Sequence, residues 1–147
     1  MTIRLNDDPR PLSNIPQLQS DYADIIARIE DYNNEGKPSS MVALRKSIFF
    51  TDGTRLSVTE RILNSAPYNS RYTDKYQYDW TTAHGEVILK FHNEKHDDPR
   101  YQTNSEPHHI HRSDQFSEDQ REDNFLVREL HEVLFFIRLF QWTRIVL

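Results

Sequence analysis

The spacing of apolar and polar positions changes period twice along this chain, and those changes mark out its elements. Leu18, Tyr22, Ile25, Ile26, Ile29 and Tyr32 recur at helical spacing, which predicts an amphipathic helix from roughly Pro16 to Asn34. Ser20 or Asn14 is placed to cap it, and Gly36 with Pro38 to end it. Near Val42 the period drops to two. Val42, Leu44, Ile48 and Phe50 alternate with Ala43, Arg45, Ser47 and Phe49. The pair Asp52-Gly53 that follows is a strong hairpin signal, because tight hairpins need residues that tolerate positive φ. This reading places strands near 41–51, 54–64, 71–81 and 86–93. The third carries Tyr72, Tyr76, Tyr78 and Trp80 on one face, and the fourth turns Val87, Leu89 and Phe91 inward. Ile110 and its polar neighbours predict a short fifth strand at the sheet edge. A second helical pattern runs from about Glu118 to Trp142, with Leu126, Leu130, Val133, Leu134 and Ile137 as its core stripe and Phe135, Phe136 and Leu139 off that stripe.

Short links between successive strands favour neighbouring, antiparallel pairing. The predicted class is therefore α+β: an antiparallel β-meander of four to five strands with an N-terminal and a C-terminal helix packed on one face. At 147 residues the chain has the length of one domain. Residues 1–14 lack periodicity and are expected to form a flexible tail, with residues 15–147 as a single α+β domain.

Composition narrows the functions. The hydrophobic share of 36% is low, but 12% aromatics compensate, since each ring buries a large area. A net charge of −5 removes the general electrostatic case for a nucleic-acid binder, while leaving room for a local basic groove. With no cysteine there is no disulfide framework, thiolate metal site or thiol nucleophile, and three glycines are too few for a glycine-rich phosphate cradle. No apolar run approaches the roughly 20 residues of a membrane span. The expected address is cytoplasmic, with no membrane partner.

Six of the seven histidines fall between His84 and His111, densest in Pro107-His108-His109-Ile110-His111. If that segment is extended, His109 and His111 point one way and His108 the other. Three readings are open: a solvated loop; a metal site on His92, His96, His109 and His111 with Asp97 or Asp98; and acid–base chemistry on a phosphodiester, assisted by Lys90, Lys95 or Arg112. The tyrosine–tryptophan row has two readings as well, a core face or a platform on which single-stranded RNA stacks. The apolar residues off the last helix's stripe suit either a partner surface or deeper burial.

The stretch from the third strand onward resembles the TumE family of bacterial toxin–antitoxin proteins. The resemblance runs through Tyr76-Gln77-Tyr78, the Gly85 turn and a fourth strand ending Lys90-Phe91-His92-Asn93. It continues through His96, the Pro107-His108-His109-Ile110-His111 segment and the amphipathic last helix. It spans roughly residues 41–140, and the histidine segment is its specific part. Lys90 stands where the family has arginine, His92 stands where it has aspartate, and Lys95-His96 is what remains of a first Pro-His-His element.

The resemblance implies a helix–meander–helix domain similar in outline to half of a TATA-box-binding-protein fold. It also implies a toxin-like component of a type II toxin–antitoxin system, neutralised by a cognate antitoxin protein. An action on RNA would make the chain a metal-independent ribonuclease. Its candidate catalytic residues are His108, His109, His111, Lys90 and Arg112, with no cofactor and no metal assigned. The alternative is a non-catalytic interaction module that docks a partner, or a second copy in a homodimer, through the C-terminal helix.

Overall fold

Four consecutive strands form the centre of the molecule, where the period-two pattern places them. The structure is a computed structural model that describes residues 10–31, 42–61, 72–73, 75–93, 103–105, 107–112 and 121–146. In chain order the elements are β1 (Arg10–Pro11), α1 (Ile15–Asp21), β2 (Ile26–Asp31), β3 (Val42–Phe50), β4 (Arg55–Arg61), β5 (Tyr72–Thr73), β6 (Lys75–Thr81), β7 (Val87–His92), β8 (His109–Arg112), β9 (Arg121–Asp123) and α2 (Leu130–Val146). The seven strands β2-β3-β4-β6-β7-β8-β9 make one open antiparallel sheet in that order, and β1 pairs separately with β5. The fold class is α+β, as the sequence predicts. Gly53 sits at φ +90° in the β3–β4 hairpin, and Asp52 Oδ1 accepts from the Thr54 amide at 2.9 Å beside it.

One face of the sheet is the core. Ile48, Phe50, Leu56, Val58, Tyr76, Tyr78, Trp80, Leu89 and Phe91 are buried on it, against Leu18 and Tyr22 and against Leu130, Val133, Leu134 and Ile137 of α2. Full burial of a large apolar side chain contributes roughly 1.5–3 kcal/mol. The tyrosine–tryptophan row is therefore core, and Tyr76, Tyr78 and Trp80 present no stacking platform. Tyr72 lies in β5, outside that row's strand.

The expected first helix is corrected to a single short element. α1 is capped by Asn14, whose side chain accepts from the Gln17 amide at 3.1 Å, and it ends after Asp21. The Asp21 carbonyl and the Asp24 carboxylate each accept from Arg138 Nη2 at 2.6 Å, which ties the turn to α2. Ile26 and Ile29 then belong to a strand. A bulge between Ile26 and Arg28 inserts Ala27, so Ile26 faces Phe50 and Ile29 faces Ile48, both from the same side. One inserted residue turns the strand spacing of two into three, which imitates a helical stripe. Tyr32, Gly36 and Pro38 lie outside the described residues.

The last helix is also shorter than its pattern. Arg121–Asp123 pair with β8 as a seventh strand, so β8 is interior and not at the sheet edge. Asn124 then folds the chain into a turn, accepting from the Val127 amide at 2.9 Å and donating to its carbonyl at 2.6 Å. Glu132 starts α2 by accepting from the Glu129 amide at 2.9 Å, the reciprocal half of a capping box. Leu126 lies before that start and is 78% exposed, not part of the core stripe. Arg10–Pro11 and Ser13 fall in the segment expected to be a tail; the first two form β1, and Ser13 bonds to Glu60.

Candidate functional site

Alternation along the central strands assigns the opposite sheet face a different chemistry. Cross-strand register sets Thr59, Gln77, His92, His109 and Asp123 in one row, and Ser57, Asp79, Lys90, His111 and Arg121 in the next. His92 ends β7, while His109 and His111 sit two apart on β8 and so share a face. Their rings meet. The His92 centroid is 4.1 Å from that of His109 and 4.6 Å from that of His111, and His109 to His111 is 5.0 Å. One ring nitrogen of each lies within 4.8 Å of the other two. His109 is wholly buried, and its Nδ1 donates to the Pro107 carbonyl at 3.0 Å. A carbonyl only accepts, so Nδ1 carries the proton and Nε2 is left as the basic nitrogen of the neutral ring.

Lys90 stands between Asp79 and His111 in register, and so flanks the cluster. The remaining sequence candidates are not gathered there. Arg112 pairs with Leu89 at the end of β8, one residue out of phase with His111. His108 lies toward the core, fully buried, stacked on Tyr76 with its Nδ1 2.9 Å from the Tyr76 hydroxyl. A second buried polar group lies nearby. Glu60 accepts from the Tyr78 hydroxyl and the Ser13 hydroxyl, each at 2.5 Å, and from the Ser13 amide at 2.9 Å. Burial first, and then the neighbouring Glu60 charge, pushes the Tyr78 phenol well above its usual range, so it remains a donor.

His92 is the member of the cluster that the catalytic candidates lack, although the metal reading of the sequence includes it with His109 and His111. The signal for it was present: Phe91 points inward, so His92 must point outward, beside whatever strand pairs next. His96, Lys95, Asp97 and Asp98 lie outside the described residues, and His84 is exposed in the β6–β7 turn.

The open face also carries Arg45, Arg61, Lys75 and Lys90, with Ser47, Ser57 and Thr59 between them. At its far end Phe49 lies under Arg28 and Arg55, whose guanidinium carbons are 3.9 and 5.4 Å from the ring centroid. No helix among the described residues is long and apolar enough to cross a membrane. On the opposite side of the molecule, Tyr22, Leu126, Val127, Phe135, Phe136 and Leu139 line an apolar groove. Phe135 is 51% exposed there, whereas Phe136 also packs edge-on against Trp80 and Phe91 at 6.4 and 6.1 Å.

No curated protein and no solved structure matches the chain. The family described as toxin TumE matches residues 16–141, a span that takes in the meander, the histidine cluster and the larger part of α2. The chain therefore belongs to the TumE family of toxins.

Proposed function

We propose that this chain is the toxin of a type II toxin–antitoxin pair and that it cleaves RNA in the cytoplasm through His92, His109 and His111. The observation that carries the reading is the meeting of these rings, 4.1 to 5.0 Å apart, on the open sheet face of a TumE-family chain. Transesterification of a phosphodiester needs one base and one acid on opposite sides of the phosphorus. A neutral imidazole takes the ribose 2′-hydroxyl proton as that oxygen attacks phosphorus. An imidazolium returns a proton to the departing 5′-oxygen, which leaves a 2′,3′-cyclic phosphate and a free 5′-hydroxyl. Lys90 offsets the charge that builds on the phosphoryl oxygens. Arg45, Arg61 and Lys75, together with the cation-flanked Phe49, give the same face phosphate and base contacts despite the acidic chain.

The antitoxin docks on the apolar groove beside α2. The exposure of Leu126 and Phe135 favours this placement, and it equally favours the second reading, a module that acts only by binding.

Induced expression separates the two. Wild type should arrest growth and fragment RNA. His92→Ala and His111→Ala, both at partly exposed positions, should each lower cleavage by about 10²-fold or more with an unchanged melting temperature. Arrest that persists at full strength in both variants would assign the toxicity to binding alone.

A further inference from the structure

We propose that His92, His109 and His111 also form a binding site for a divalent transition-metal ion, zinc foremost. Sequence spacing gave no ligand motif, because the three residues come from two strands and the outer two stand 19 positions apart. The sheet supplies what the spacing lacks. Two histidines at i and i+2 on β8 and a third directly opposite on β7 present three imidazoles from one rigid face.

The orientation of His109 is the most telling feature. A histidine that binds a metal commonly donates its other ring N–H to a backbone carbonyl, which fixes the tautomer and raises ligand basicity. His109 has that arrangement, with Nδ1 on the Pro107 carbonyl, and Nε2 is then the atom that would bind the ion. The set is all nitrogen. Magnesium and calcium prefer oxygen, whereas imidazole suits zinc, copper and nickel. Three nitrogens on one tetrahedral zinc stand about 3.3 Å apart for bonds near 2.0–2.1 Å. The ligand nitrogens here lie within 4.8 Å of one another. Small rotations of His92 and His111, which are only partly buried, close the difference while His109 stays in place. Three protein ligands leave a fourth position open to water.

This inference does not rest on the RNA reading. A bound ion engages the lone pairs that proton transfer uses, so the metal-loaded and acid–base-competent forms are different states of one cluster.

The test uses the full chain, stripped with a chelator and dialysed, without RNA. Titration with zinc chloride in a calorimeter should give one ion per chain, and cobalt(II) should develop the visible bands of a four-coordinate complex. His92→Gln and His111→Gln should each weaken binding by about tenfold or more. His109→Gln should abolish it, and His84→Gln, in the exposed turn, should leave it unchanged. Where His109→Gln fails to fold, the other two variants decide. His131 needs its own control, because Glu129, His131 and Glu132 form a second candidate group. No binding by the wild type, binding indifferent to His92→Gln and His111→Gln, or binding lost in His131→Gln overturns the proposal. Growth arrest is scored separately, so either proposal can fail alone.

Discussion

His108 and His109 are neighbours in sequence and occupy opposite sides of the same sheet. His108 lies against Tyr76 on the covered face, near the group that joins Glu60, Tyr78 and Ser13. His109 lies on the open face with His92 and His111. Both are fully buried, so burial does not separate a structural histidine from a functional one. Company does. The covered side surrounds its polar groups with ring stacks and helix, each tied to a fixed partner. The other side collects three imidazoles with cations and hydroxyls, an arrangement suited to a ligand. The comparison teaches that strand phase assigns a residue's role before its chemistry does.

Four substitutions would break or sharpen that contrast. The largest effect is expected at Trp80, fully buried on the covered face where it meets Phe136 and Phe140 edge-on at 6.4 and 5.1 Å. Trp80→Ala should cost about 3–5 kcal/mol in denaturant unfolding, whereas Gln77→Ala, exposed on the open face of the same strand, should stay within about 0.5 kcal/mol. Equal costs would mean that both faces are packed.

The next effect is at His108. His108→Ala leaves the buried Tyr76 hydroxyl without its 2.9 Å partner, at a cost of about 1–3 kcal/mol. Toxicity per folded molecule should be retained. Thermal melts and growth arrest at matched soluble protein check both halves, and a stable but inactive variant would move His108 into the active site.

The smallest effect on folding is expected at Phe135, which lies at the rim of the apolar groove, half exposed. Phe135→Asp should change stability by about 0.5 kcal/mol or less, yet weaken capture of the co-expressed antitoxin. Antitoxin retention equal to wild type would remove the groove from the interface. Phe136 is a poorer probe, because its contacts with Trp80 and Phe91 couple docking to folding.

The four meander strands could be read because their alternation is long, with register shifts only near their ends at Val42–Leu44 and Trp80–Thr81, and Asp52-Gly53 announces the first turn. Leu130, Val133, Leu134 and Ile137 were legible for the same reason: local periodicity and burial agree over about two turns of helix. β2 was not legible, since its bulge copies helical spacing, and residues 121–129 were not, since one cross-strand pairing and one asparagine turn override a helical pattern. Within the site, His109 and His111 followed from alternation on one strand. His92 was grouped with them only in the metal reading, and the β7–β8 pairing sets it opposite His109.

The sequence by itself therefore determined the class of fold, the central strand order and the side on which most residues of the four meander strands stand. All of these follow from local geometry and the drive to bury apolar area. Only the tertiary structure decided which side chains meet. It joined His92 to His109 and His111 across the β7–β8 pairing, sent His108 to Tyr76, and put Arg112 in the register of Leu89. Contacts between residues far apart in the chain depend on register and pairing, which no single segment encodes.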